Sequence, residues 1–277
     1  MIIVSYELII EIMSLYLMRN YFSCRTCKMM KIYILLLLIF NLPLIYAEDK
    51  AKGESKSPVS LSSEVFSPPI AVNLKTAPKV DGSGDDAEWK DVPEYSLTVH
   101  GKDGEVKNVK IKSCRSGGMF FMLINYPEET IVRKHKPWCW DEKKKIYVSG
   151  NQRENTLTLL FLKDADHTTS GDAWIWRAAR TDIAGYADDM VFFGKNYQMD
   201  KGQNCWFSKF FGEFIGTELP RFYQRKPRGS AGDVKAKGKL DKKTVTIEFA
   251  RKLQTGHSDD FILNRKLFMK LIIQPGK

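Results

Sequence analysis

Apolar and polar side chains alternate along this chain in short runs, and no segment has the three-to-four-residue spacing of a long amphipathic helix. Val109 and Ile111 alternate with Asn108, Lys110 and Lys112. After Gly117-Gly118 the pattern resumes with Phe120, Met122, Ile124 and Tyr126. A period of two sends successive side chains to opposite faces of a strand, so one face is apolar and the other wet. Leu157, Leu159 and Phe161 repeat it. Val234 to Lys239 and the set Val245, Ile247 and Phe249 read as a hairpin pair, and Leu267 to Ile273 as one more strand. Many short strands divided by turn residues predict an all-β fold, an antiparallel β-sandwich with long irregular loops.

A chain of 277 residues has room for one domain plus appendages. Lys31 followed by the apolar run Ile32 to Phe40 and by Ala47 reads as a signal peptide. Residues 1–28 then form an upstream extension, with the start at Met29 or Met30, and residues 1–47 make the first segment. The apolar run is short for a membrane span, so no stable span is expected after cleavage. A retained anchor is the alternative. Cleavage would leave an exported protein, periplasmic or otherwise outside the cytoplasm. Residues 48–76, rich in Lys, Ser, Glu and Pro, read as a flexible linker, and residues 77–277 as the folded domain.

The formal charge of +10 suits solubility or docking to an acidic surface. Its lysines are scattered and no nucleic-acid motif occurs, so no nucleic-acid partner is expected. Cys114, Cys139 and Cys205 follow the cleavage site, and an odd number allows at most one intramolecular disulfide. Cys24-Arg25-Thr26-Cys27 is followed by Lys28 rather than His, which does not support covalent c-type haem attachment. Zinc-site spacing, a nucleophile elbow, a phosphate loop and a Rossmann fingerprint do not occur, so no independent catalytic site is expected.

The stretch Gly171 to Thr181, with Gly185 to Met190 after it, carries the most distinctive chemistry. If the strand runs through Arg180, then Trp174, Trp176, Ala178 and Arg180 share one face. Two readings are open. One is a core strand with an Arg–Asp surface pair. The other is an aromatic wall for a flat, anionic ligand. His167 is the imidazole nearest that wall in sequence. His135 stands beside Trp138 and Trp140 in the loop-like segment 127–156, where it either packs the loop or holds a metal or porphyrin edge. His100 reads as a surface residue and His257 as a structural turn residue. The irregular segment 194–230 is expected to be anchored by Trp206, Phe207, Phe210 and Phe211. Asp81 to Asp86 reads as a turn, or as a calcium-binding loop, and Trp89 as a plug at the end of the sandwich.

Several of these pieces occur together in a family. Asp172-x-Trp174-x-Trp176-x-Ala178-x-Arg180-Thr181 with Gly185-Tyr186-Ala187-Asp188-Asp189 resembles the ethylbenzene dehydrogenase-related haem-binding domain, also described as cytochrome c-552/DMSO reductase-like. Ala77-Pro78-x-Val80-Asp81-Gly82 with Asp85, Asp86 and Trp89 is similar to its opening. His135-Lys136-Pro137-Trp138-x-Trp140-Asp141 is similar to a middle signature. Arg251-x-Leu253-x-Thr255-Gly256-His257 is similar to its closing part.

The resemblance implies a noncovalently bound haem b and electron transfer without a bond change. The implied partner is a molybdenum-enzyme subunit or a cytochrome. The family's axial ligands are a Met and a Lys, the Met lying just before the W-x-W strand. Here that loop holds His167 and no methionine. The second ligand lies beyond the strand matching Leu267 to Ile273; here either it is absent, the sequence is truncated, or another residue such as His135 or Met190 serves. The implied site is therefore His167 and His135 on the iron, Trp174 and Trp176 as the wall, Arg177 or Arg180 on the propionates, and Met190 as a spare thioether. Sugar-binding sandwich modules share the opening motif, so the alternative is a non-enzymatic module that binds a carbohydrate or other small ligand without haem.

Overall fold

The computed structural model describes residues 60–69, 71–166, 168–258, 260–263 and 266–277. These fall within one compact unit, residues 57–277. The extension and signal peptide read in residues 1–47 lie outside the described residues, and so does His167.

The strands are β1 (Leu61–Ser62), β2 (Val72–Asn73), β3 (Glu94–Gly101), β4 (Val106–Ser116), β5 (Met119–Pro127), β6 (Trp138–Asp141), β7 (Ile146–Ser149), β8 (Thr156–Leu162), β9 (Ser170–Arg177) and β10 (Asp188–Phe193). They continue with β11 (Asn196–Met199), β12 (Gly202–Gln203), β13 (Trp206–Ser208), β14 (Glu218–Leu219), β15 (Phe222–Gln224), β16 (Arg228–Gly229), β17 (Lys235–Asp241), β18 (Thr244–Lys252) and β19 (Phe268–Gln274). Helical structure among the described residues is confined to single 3-10 turns such as Asp182–Ala184.

The main sheet runs β11-β10-β9-β8-β19-β1-β3-β4-β5-β18-β17, with β2 pairing in parallel to β4. All its other pairs are antiparallel. The sheet folds back on itself about β1, so its two halves become the layers of a sandwich. Trp174 of β9 lies 6.1 Å from Phe249 of β18 and 6.3 Å from Phe120 of β5, strands remote from β9 in hydrogen-bonding order. The alternation read from sequence supplies the contact: Val109, Ile111, Phe120, Met122 and Ile124 bury against Leu157, Leu159, Phe161, Trp174 and Leu271. The other face of β8, β9 and β10 is apolar too, with Leu160, Leu162, Ala173, Ile175, Met190 and Phe192 in a second cluster. At Gly117-Gly118, φ of +55° and +78° gives the tight β4–β5 turn that glycine permits.

Three expectations need correction. Two pieces of the stretch given to a linker are part of the sandwich: Leu61 pairs with Ile273 on one side and Gly101 on the other, and Val72 pairs with Cys114. A Ser- and Pro-rich composition hides isolated apolar anchors, and Leu61, Phe66 and Ala71 are buried. The segment 127–156 is not all loop, since β6 and β7 form a hairpin. In the 194–230 crossing Phe207 packs against Tyr223 and Phe210 against Trp138, at 6.0 and 5.2 Å between ring centroids, but both are surface contacts, Phe210 being 71% exposed.

The opening motif does not plug an end as expected: Trp89 packs with Cys114, Phe121, Leu123 and Ala250, on the face of β4, β5 and β18 turned away from the other layer. Trp89 is buried and its Nε1 donates to Glu248 Oε1 at 3.0 Å. The amides of Asp81 and Gly82 donate to Glu248 Oε2 at 3.0 and 2.7 Å. Glu248 is thus the acceptor that the turn is built to meet, while Asp81 and Asp86 accept from Ser83 and from the Lys79 amide within the loop itself.

Candidate functional site

The tryptophan wall does not form. Trp174 and Trp176 are fully buried. The Trp174 ring centroid lies 4.4 Å from that of Phe161, and its other neighbours are Phe249 and Phe120. Trp176 Nε1 donates to Asp182 Oδ1 at 2.8 Å, and the backbone of Gly238 closes over the ring. The strand ends at Arg177, so Arg180 does not continue the tryptophan face. Met190 pairs in register with Ala173 and packs with Leu160, Leu162 and Phe192, on the face of β9 opposite Trp174. Neighbouring strand positions point oppositely, so Met190 and the two indoles cannot address one ligand.

Both arginines are engaged internally. Arg177 Nε donates to Asp188 Oδ2 at 2.6 Å, and Asp188 also accepts from Trp206 Nε1 at 2.9 Å. Arg180 pairs with buried Glu154 and lies 5.0 Å over the Trp206 ring and 5.2 Å over Phe222. Glu154 also accepts from the amides of Ala179 and Arg180, at 2.7 and 3.0 Å. Of the reading as a core strand with an Arg–Asp surface pair, the structure bears out the core strand; the pairs themselves are largely buried, with Asp188 and Glu154 fully so.

What the fold does bring together is a cleft at His135. It has a volume of about 340 Å³ and lies between residues 133–137 and residues 218–224. Pro137, Ile183, Leu219 and Phe222 give it apolar walls, and Arg133 and Arg221 give it cations. The His135 side chain is 14% exposed, and its ring centroid lies 5.6 Å from that of Phe222. Its Nδ1 is 3.4 Å from Glu154 Oε1 but has no hydrogen-bond partner. Burial, reinforced by Arg180, Arg177, Arg153 and Lys136, pushes its pKa down to about 3. At neutral pH it is an uncharged imidazole with a lone pair, the form that ligates metal or accepts a proton.

Arg221 is the second member. Its guanidinium lies 4.3 Å over the Trp138 ring, Nη1 donates to Ser149 Oγ at 3.3 Å, and its buried Nε has no partner. Arg133 is committed to Asp182 and to the carbonyls of Ala178 and Gly238. The cleft offers charge, a flat apolar surface and one neutral nitrogen ligand. It pairs no nucleophile with a base, so it is suited to binding.

Sequence reasoning found His135 but missed Arg221, Phe222 and Glu154. The available signal was Pro220-Arg221-Phe222-Tyr223, a compact cationic and aromatic cluster inside the segment without periodicity. His257 is the turn residue expected, its Nδ1 2.8 Å from Asp233 Oδ2, and His100 is exposed. Cys114, Cys139 and Cys205 are free thiols.

A haem requires one or two axial donors, apolar walls and cations for its propionates. His135, Phe222 and Arg221 fit those roles in part; Trp174, Trp176 and Met190 do not fit theirs, and Arg177 and Arg180 are already paired. Comparison with protein-family models and with curated protein sequences returned no match. The haem-domain resemblance therefore rests on the motifs alone. Among the described residues, no helix is long and apolar enough to cross a membrane.

Proposed function

We propose that this protein is a non-enzymatic β-sandwich binding module whose ligand site is the His135 cleft, and that its ligand is a small anion with a flat apolar face. The observation that carries this reading is a pair of buried nitrogens on residues that line that cleft, His135 Nδ1 and Arg221 Nε, neither with a hydrogen-bond partner, the former 3.4 Å from Glu154 Oε1. Buried polar atoms are nearly always hydrogen-bonded, and unmet ones cost about 1–3 kcal/mol each. An anionic group against Arg221 and a donor or metal at His135 would satisfy both, while Phe222 covers the flat face.

Haem b is one member of that ligand class, and the motif resemblance is what favours it; burial pushes the His135 pKa down, so its imidazole would be available in the neutral form an axial ligand needs. Bound there, haem b would carry single electrons. The signal-like segment ending at Ala47 supports an exported setting, and the resemblance supports a redox partner, a molybdenum-enzyme subunit or a cytochrome.

Titration with haemin and with metal-free protoporphyrin IX separates the two readings. Haem ligation predicts a sharp Soret band at one equivalent, lost in His135→Ala, with protoporphyrin binding at least tenfold weaker. Binding of a flat anion without ligation predicts similar affinity for both porphyrins, little changed in His135→Ala. Arg221→Gln should weaken either by about tenfold, the equivalent of ~1.4 kcal/mol. If neither porphyrin binds at micromolar concentration, the haem reading is wrong. If small organic dianions also fail to bind, the site assignment is wrong.

A further inference from the structure

Away from the cleft, three carboxylates converge inside the sandwich. Asp172 on β9 and Asp189 on β10 are brought together by strand register: Asp189 pairs with Trp174 and Val191 with Asp172, so both acids point to the core side on adjacent strands. Asp260 joins them from the chain following β18. One oxygen of each lies within 4.8 Å of the others. Arg251, from the opposite layer, is fully buried among them. Its Nη1 is 2.6 Å from Asp172 Oδ2, 3.2 Å from Asp260 Oδ1 and 3.9 Å from Asp189 Oδ2.

One guanidinium does not balance this cluster. With all three acids ionised the charge is −3, and Arg251 brings it to −2. Asp200 adds a further negative field at Asp189. Asp189 is fully buried; neither of its oxygens nor Asp172 Oδ1 accepts a hydrogen bond from a nitrogen or hydroxyl donor, Arg251 Nη1 is 3.9 Å away, and the two carboxyls are close enough to hydrogen-bond each other when one carries a proton. Buried carboxylates normally accept several hydrogen bonds or bind a cation. Burial first, then repulsion from Asp172, raises the Asp189 pKa well above the ordinary carboxylate range. Something positive is needed there, either protons or a metal. An open cleft whose lining includes Ser170, Asp172, Val191, Ser258 and Asp260 brings solvent to two of the three acids, and Asp189 lies behind them.

We propose that Asp172, Asp189 and Asp260 bind a divalent, oxygen-preferring cation of the calcium type, which with Arg251 neutralises the cluster. Three anionic oxygen donors with no sulfur or imidazole suit a hard cation rather than zinc or copper. The free oxygens of Asp189 and Asp172 Oδ1 are the first ligands. Water entering from the cleft completes the shell. The group Asp233, His257 and Asp260 shares Asp260, but its exposed members already pair with each other.

The test uses the full chain, stripped with EDTA. At a hundredfold excess over Kd, Ca2+ should raise the melting temperature by roughly 5–10 °C. Tb3+, which calcium sites accept, should bind at one equivalent and emit on indole excitation, because Trp174 adjoins both acids, and Ca2+ should quench the emission by displacement. Asp189→Asn and Asp172→Asn should each abolish the thermal shift, and Asp233→Asn should keep it. Trp174→Phe should cut the emission by more than half while keeping the shift, which locates the ion even if neither Asn variant folds. Any of three results overturns the proposal: no shift above 1 °C with Ca2+, Mg2+ or Mn2+; a shift intact in both Asn variants; or Tb3+ emission unchanged in Trp174→Phe. The first, joined to a higher melting temperature in Asp189→Asn, would show that protons neutralise the cluster.

Discussion

Gly238→Ala decides whether Trp176 is a fixed core residue or a wall that can swing to meet a ligand. An added Cβ would lie 2.5 Å from Trp176 Cζ2 and 2.8 Å from Cε2, closer than real contacts allow. The ring cannot retreat freely, because its Nε1 bond to Asp182 holds it. The strand cannot retreat either: the Gly238 amide donates to the same Asp182 oxygen at 2.6 Å, and Arg133 donates to the Gly238 carbonyl.

Overpacking of this kind costs about 1–3 kcal/mol. Displacing one of the bonds to the buried Asp182 side chain, which also pairs with Arg133, adds roughly 1.5–3 kcal/mol. Alanine's better strand conformational entropy offsets about 0.5–1 kcal/mol. The net expectation is a loss of about 3 kcal/mol, or roughly 6–12 °C in melting temperature for a domain of this size. Thermal unfolding followed by near-ultraviolet circular dichroism reads both quantities, since the rigid indole gives the signal. A loss below about 2 °C with an unchanged indole band would show that Trp176 moves aside at little cost, and the packing argument would fail.

Four other outcomes follow from the structure. His135 is held neutral, with its folded pKa near 3 against 6.5 when unfolded. The unfolded chain therefore takes up a proton first, and stability falls by about 1.4 kcal/mol per pH unit as the pH drops from 6.5 toward 3. His135→Gln should flatten that slope in denaturant titrations. The metal-free Asp189 carboxyl has the opposite sign: its raised pKa gives stability that is present at low pH and lost as pH rises above 3.8. Glu248→Ala strands the Trp89 indole and the Asp81 and Gly82 amides, and should cost about 3 kcal/mol in equilibrium unfolding. Met190→Leu, a volume-conserving change inside an apolar cluster, should cost under ~1.5 kcal/mol and leave any haem spectrum untouched; a changed Soret band would place Met190 at the iron after all.

Much of the fold was legible because period-two alternation is a local property. Val109 with Ile111, Phe120 through Tyr126, and Val245 through Phe249 each declare a strand and its buried face without reference to the rest of the chain. Glycines at a turn do the same, as at Gly117-Gly118. Leu61 was not legible, because a two-residue strand has no period and draws its burial from partners some forty and two hundred residues away.

The site divides along the same line. His135 was visible as an imidazole among aromatics. Arg221 and Phe222 became its partners only when β14 and β15 were laid beside residues 133–137. Trp174 and Trp176 show the limit most plainly. Spacing placed them on one face of β9, but a face is a wall or a core according to what stands opposite, and Phe249, Phe120 and Gly238 come from the other layer. Local pattern alone determined that this chain makes strands with one apolar face. Which apolar faces meet, which carboxylates converge on Arg251, and which polar atoms remain unmet were decided by tertiary structure, because burial and charge balance depend on neighbours distant in sequence.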